Sequence, residues 1–271
     1  MALLTVTSAD GTTIQSQCYG AGRALVIVSG ALFASELWLR VVPLISGRRR
    51  AVVVDRRGRG KSGDHSAYSV TREIEDLLAV LEGVGGPVDL LGHSAGAILA
   101  LHVALRSPAN LERLIVYEPP VFLAAADRVG SDLPERLEVL LAQGRHETAV
   151  ETFFREGPRA SEAELRGMKA GPAWALMVKE LAHTVAYDAH VQRSFSEADA
   201  AALSRVRIPA LMLLGAASPA RVRGAAETIS ARLPAATLRE LPGQQHVAML
   251  SAPALFASAV NDFLDAPVPA G

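Results

Sequence analysis

Gly92-His93-Ser94-Ala95-Gly96 carries the most specific chemistry in this chain. Gly-x-Ser-x-Gly between a strand and a helix is a nucleophile elbow, a turn that presents a serine hydroxyl for attack on an electrophilic carbon. The flanks supply that setting. Val88-Asp-Leu-Leu91 reads as a short buried strand, and Ala97-Ile-Leu-Ala-Leu101 as the start of an apolar helix. A strand that runs straight into a helix must turn sharply. Gly92 and Gly96 lack side chains, so the two elements can close on each other there. Ser94 then stands at the apex, above the positive end of the helix. A serine hydroxyl is a weak nucleophile at neutral pH and needs a base. Seven histidines are available: His65, His93, His102, His146, His183, His190 and His246. His93 lies beside the nucleophile, but its side chain points away from the one that follows it. It reads as a packed or locally hydrogen-bonded residue.

The elements that must position this serine follow from hydrophobic patterning. Thr5 to Ala9 and Thr13 to Cys18 alternate apolar and polar around Asp10-Gly11, a β-hairpin pattern. Ala24-Leu-Val-Ile-Val28, Arg50-Ala-Val-Val-Val-Asp55, Leu114-Ile-Val-Tyr-Glu118 and Ala210-Leu-Met-Leu-Leu-Gly215 are continuous apolar runs, as in strands covered on both faces. Thr237 to Leu241 adds a further strand. Helical spacing appears over Glu36 to Ile45, Val70 to Gly83, Ala220 to Leu233 and Ala252 to Leu264. Strand–helix alternation predicts a mostly parallel α/β sheet. It is interrupted once, from Val121 to about Arg207, by a stretch rich in Ala, Leu and charge with no strand pattern. That insertion is long enough to cover the carboxyl edge of the sheet, where ligands bind in open α/β folds.

Composition narrows the function classes. The chain has 271 residues, 50% of them hydrophobic, and a formal net charge of -1. One domain with an insertion fits this length better than two independent ones. The balanced charge gives no field for nucleic acid or an anionic membrane surface. One cysteine, Cys18, excludes an internal disulfide framework and reads as a small packed residue. The first residues lack the basic region and long apolar core of a signal peptide, and no stretch has the length of a membrane span, so a cytoplasmic protein is expected. No Cys/His/carboxylate cluster has metal-site spacing and no Gly-x-Gly-x-x-Gly follows a strand, so neither metal nor cofactor is expected. Arg56-Arg-Gly-Arg-Gly-Lys-Ser62 looks like a phosphate cradle. The P-loop spacing, however, needs a glycine where Asp55 stands, and phosphate binding is not expected.

With these motifs in place, the sequence resembles the α/β-hydrolase superfamily over nearly its whole length. Four features carry the resemblance: the strand–Ser29-Gly30 turn, the loop from Asp55 to Ser62, the elbow, and Gly243-Gln-Gln-His246 after the last strand. It implies an eight-stranded α/β-hydrolase sheet with helices on both faces. It implies a core from residues 1–120 and 208–265, a helical cap from residues 121–207, and a tail over 266–271. It also implies that His246, after the final strand and its Pro242-Gly243 turn, is the base. The acid usually follows the seventh strand, but here that turn is Gly215-Ala-Ala-Ser218-Pro219, with no carboxylate. Some family members, including many haloalkane dehalogenases, carry the acid after the sixth strand instead, beside the nucleophile strand. Glu118 occupies that place, and Asp188 and Asp55 are weaker candidates. Pro119 biases Glu118 toward an extended backbone and removes a competing amide donor.

The oxyanion donors implied are the backbone amides of Ala95, after the nucleophile, and Ala31, after the third-strand turn, with Leu32 next in line. The family usually has His-Gly at that turn, so Ser29 leaves the packing role of the histidine unfilled. Leu32, Phe33, Trp38, Trp174, Met177, Tyr187 and Met249 are candidates to line an apolar pocket, with core packing an equal or better reading for each. His183 and His190, inside the insertion, face either the pocket or its surroundings. The expected activity is serine hydrolysis of an ester, thioester or lactone of a hydrophobic small molecule. The alternative is the same fold in a non-hydrolytic role, as a lyase, a cyclase, a cofactor-free oxygenase or a ligand-binding protein.

Overall fold

The computed structural model describes residues 1–123 and 130–267, so residues 124–129 of the expected cap and 268–271 of the expected tail lie outside it. Eight strands form one sheet in the order β1-β2-β4-β3-β5-β6-β7-β8. They are β1 (Ala2–Thr7), β2 (Thr13–Tyr19), β3 (Ala24–Val28), β4 (Arg50–Val54), β5 (Val88–His93), β6 (Leu111–Tyr117), β7 (Ala210–Gly215) and β8 (Ala236–Leu241). The β1–β2 hairpin runs antiparallel and pairs antiparallel with β4; from β4 to β8 all neighbours are parallel. The apolar runs become the central strands. A parallel strand has a helix layer on each side, so both of its faces need apolar side chains.

Period-2 alternation splits each run between two cores. Val26, Val28, Val52 and Val54 enter one cluster, and Leu25, Ile27, Ala51 and Val53 enter the other. The first face is covered by α2 (Val70–Val84), α3 (Ala95–Leu105) and α10 (Ala220–Arg232); the second by α1 (Val42–Ser46) and α12 (Pro253–Asp265). Each fully buried aliphatic side chain here contributes about 1.5–3 kcal/mol.

Local chemistry moves some boundaries. The hairpin turn takes up residues 8–12: Thr12 N–H donates to Asp10 Oδ1 at 3.0 Å, and Gly11 sits at φ 85. Strand β1 therefore ends at Thr7 rather than at Ala9. The expected helix from Glu36 splits into a 3₁₀ turn, Ser35–Trp38, and α1, with Pro43 in its first turn, where a missing N–H is tolerated.

Between β6 and β7 the described residues form helices joined by short loops, with no strand: α4 (Leu133–Ala142), α5 (His146–Glu156), α6 (Glu162–Ala170), α7 (Ala173–Leu176), α8 (Val185–Arg193) and α9 (Glu197–Ala202). Leu133, Leu137, Val150, Phe153, Trp174, Met177 and Val185 give these helices an apolar cluster of their own. Val191, Phe195 and Ala200 join the cluster under α2 and α3. Among the described residues no helix is long and apolar enough to cross a membrane.

Candidate active site

Ser94 follows the last residue of β5 and precedes α3, at φ 55 and ψ -123. A non-glycine residue is rarely held there, and positive-φ strain of this kind concentrates at functional turns. The surrounding packing imposes it. A Cβ on Gly92 would meet Gly96 O at 2.4 Å, and one on Gly96 would meet Val28 O at 2.4 Å. Strand and helix are in backbone contact at the turn, so neither position admits a side chain. Ser94 N–H donates to Tyr117 O at 2.9 Å, which fixes the elbow against β6. Among the described residues the Ser94 hydroxyl makes no hydrogen bond.

His246 lies in the loop between β8 and α11 (Ala248–Ser251), its side chain half exposed. Its Nδ1 is 2.7 Å from Glu118 Oε2. With Nδ1–H donating to the carboxylate, Nε2 is left as the basic nitrogen. The loop is held from three sides. Ala217 N–H donates to Gln244 O at 2.9 Å, the Tyr117 hydroxyl donates to Gln245 O, and His93 Nε2–H donates to His246 O at 2.9 Å. Burial, and then the charge of His246, push His93 well below its ordinary pKa. His93 is thus a neutral donor locked under the candidate base, His246. It is the packed residue its place in the elbow suggested, but its hydrogen bond is not local: the partner is the backbone of His246. Tyr117 escaped sequence reasoning. The one available signal was a hydroxyl at the end of the aliphatic run Leu114-Ile-Val116, directly before the candidate acid.

Glu118 is buried just past β6. The expected extended backbone is not what occurs: Glu118 sits at φ 46, in the left-handed region, despite Pro119. Tertiary bonds override the local bias. Its N–H donates to Leu213 O at 3.2 Å. Its Oε1 accepts from Gly215 N–H at 2.7 Å and from the Ser218 hydroxyl at 2.5 Å. Burial raises the Glu118 carboxyl, but the bond and charge of His246, then Ser218 and Gly215, outweigh it and hold it below the usual range. Ser218, in the turn where a carboxylate is usual, therefore donates to the carboxylate that stands one strand away.

The turn after β3 approaches the nucleophile closely, since a Cβ on Gly30 would meet Ser94 Cβ at 2.8 Å. Helix α3 opens at Ala95, so that N–H has no carbonyl one turn earlier to bond. Neither Ala95 N–H nor Ala31 N–H has an acceptor among the described residues. Leu32 differs: its N–H donates to Asp188 Oδ2 at 3.1 Å, so it is not available to a substrate. Ser29 fills the packing gap expected at this turn, its buried hydroxyl accepting from Trp38 Nε1–H at 2.9 Å.

The other candidates lie elsewhere. Asp55 accepts from the backbone N–H of Ser35 at 3.0 Å and of Lys61 at 3.1 Å and holds its own loop. Asp188 is paired with Arg56 and Arg59, each at 2.8 Å, not with His246. Arg57 pairs with Asp76 at 2.7 Å and Asp10 at 2.9 Å, so the arginines of the basic loop are consumed inside the protein. Trp38 and Met249 are fully buried in the cluster of the second sheet face and are core residues. Leu32, Trp174 and Met177 share the cluster of the inserted helices. Phe33 packs at the edge of the second-face cluster, and Tyr187 stacks on Tyr68 with ring centroids 3.8 Å apart. His183 Nε2 bonds to Gly58 O at 2.8 Å and His190 to Glu138 at 3.4 Å.

Residues 25–259 match the model of the alpha/beta hydrolase family. The (E)-2-((N-methylformamido)methylene)succinate hydrolase of Acinetobacter baylyi is 25% identical over 253 residues, covering 91% of this chain and 92% of the relative. The pimeloyl-[acyl-carrier protein] methyl ester esterase of Edwardsiella ictaluri is 27% identical over 258 residues, 91% and 95% of the two chains. Among solved structures, an alpha/beta hydrolase from Sphaerobacter thermophilus superposes with a TM-score of 0.88 at 35% identity, over 96% of this chain and 99% of the other.

Proposed function

The chain belongs to the alpha/beta hydrolase family, and from that membership we propose that it is a serine hydrolase cleaving an ester, thioester or lactone of a hydrophobic small molecule through an acyl-enzyme. The observation that carries this reading is the 2.7 Å contact between Glu118 Oε2 and His246 Nδ1. It supplies the acid that the turn after β7 lacks. Ser94 Oγ attacks the carbonyl carbon while His246 Nε2 takes its proton. The ionised Glu118 keeps the ring in the required tautomer and stabilises the imidazolium. The tetrahedral oxyanion is held by the N–H groups of Ala31 and Ala95. The imidazolium returns its proton to the leaving group, and water, activated by His246, releases the acyl group. The Ser94–His246 bond is not formed in the free protein. Catalytic bonds of this kind often tighten only when substrate is bound.

The helices α4 to α9 serve as the cap in this reading, held together by an apolar cluster of their own. Two relatives bear the names of hydrolases, one of them of a methyl ester, which favours the ester class. The non-hydrolytic alternative rested on a missing acid and an altered turn. The contact of Glu118 with His246 and that of Ser29 with Trp38 weigh on the side of hydrolysis. A fluorophosphonate probe is expected to label the purified wild type at Ser94 and to leave Ser94→Ala unlabelled. Equal labelling of the two, or ester hydrolysis undiminished in Ser94→Ala, overturns the proposal.

A further inference from the structure

The cap and the turn after β3 meet at one buried side chain. Asp188, on α8, has no exposed surface. Its Oδ1 accepts from Arg56 Nη1 and from Arg59 Nη2, each at 2.8 Å, and its Oδ2 accepts from Leu32 N–H at 3.1 Å. Arg56 Nη1 also donates to Gly30 O at 3.3 Å, while its Nε and Nη2 hold both oxygens of Glu73 at 2.8 and 2.7 Å. Arg59 lies 4.0 Å from Glu73. Two guanidiniums and two carboxylates therefore balance in a volume closed to solvent, where such contacts are strong and unpaired charge is expensive.

This cluster grips the turn at both ends. It takes the carbonyl of Gly30 and the amide of Leu32, and the amide between them, that of Ala31, has no acceptor among the described residues. Leu32 is held at φ 54, a conformation a leucine adopts only when its surroundings demand it.

We propose that Asp188 is a positioning residue for oxyanion stabilisation: carried by the cap and held by Arg56 and Arg59, it fixes Leu32 N–H so that Ala31 N–H is presented to the substrate oxygen. The inference rests on the serine-hydrolase reading above. It makes the seating of the cap a condition for a working oxyanion hole. Asp188 touches no substrate, and it acts through the backbone of the turn.

The test compares a p-nitrophenyl ester with the matching thionoester in wild type and Asp188→Asn, with active sites titrated by fluorophosphonate. An oxyanion hole discriminates oxygen from sulfur at the reacting atom, whereas a loss of folded protein lowers both rates alike. Removing one oxyanion donor lowers kcat by about a hundredfold or more. Asp188→Asn is expected to lower kcat on the oxygen ester by about thirtyfold, somewhat less than a full donor, with KM little changed. The thionoester rate should change far less. Equal losses on both substrates, or no loss, overturn the proposal. If Asp188→Asn does not fold, replacing the Leu32 peptide N–H by an ester oxygen removes the same bond with every side chain kept, and the same ratio decides. Hydrolysis that survives in Ser94→Ala fails the parent reading instead, and is read in a separate variant.

Discussion

Glu118 and Asp188 are both carboxylates buried near the carboxyl edge of the sheet, and sequence alone admits either as the acid of a triad. Their partners separate them. Glu118 faces a half-exposed histidine, a hydroxyl and one backbone amide. Asp188 faces two buried guanidiniums and one backbone amide. A guanidinium never releases its proton at ordinary pH, so a carboxylate paired with it can only hold geometry. An imidazole gains and loses a proton near neutrality, so a carboxylate paired with it can stabilise a charge that comes and goes. Burial and charge are alike at the two sites; the chemistry follows from whether the partner titrates.

The largest effect expected from this contrast is in Glu118→Gln. Steady-state hydrolysis should fall by about three to four powers of ten, since the amide keeps the side chain's volume but not the charge that stabilises the imidazolium. A drop below tenfold would break the comparison by showing that Glu118 only holds structure. Asp188→Ala should cost stability as well as rate. Urea unfolding is expected to record a loss of about 3–5 kcal/mol, because Arg56 and Arg59 are left buried with too few carboxylates.

Smaller changes sharpen the comparison. Ser218→Ala removes a hydroxyl bonded to an ionised carboxylate, and kcat/KM should fall by about thirtyfold, or about 2 kcal/mol, with Glu118 still in place. An unchanged rate would leave Ser218 without a part in holding the acid. The pH dependence of stability gives the finest test. His93 is depressed well below 6.5, so it stays neutral in the fold while the unfolded chain takes up a proton. Stability therefore falls as pH drops below about 6.5, by about 1.4 kcal/mol per pH unit for that one proton. His93→Gln should lose this part of the slope, read from denaturant midpoints between neutral and mildly acid pH. For Glu118 the sign is the same, over a lower range of pH. Its folded pKa is depressed, so its stabilisation is present above 4.5 and is lost as pH falls through the folded value. The stability difference between wild type and Glu118→Gln should therefore shrink in acid.

Much of the fold was legible because the relevant forces are local. Each central strand announces itself as an apolar run, and the five apolar runs became β3 to β7, flanked by the alternating β1–β2 hairpin and by β8. The elbow was legible for the same reason, since Gly92 and Gly96 are needed within two residues of Ser94. Boundaries slipped where a side chain found a nearby backbone partner, as at Asp10, or where Pro43 divided a helix.

Sequence by itself therefore determined the sheet, the elbow, the absence of a carboxylate after β7 and the short list of residues able to replace it. Only the tertiary structure decided which of them meet. Glu118 and His246 are 128 positions apart, and Asp188 and Leu32 are 156 positions apart. No periodicity reaches that far. The left-handed backbone of Glu118, against the bias of Pro119, is the same lesson at one residue. A local preference is worth about 1 kcal/mol, and three hydrogen bonds to one buried carboxylate exceed it.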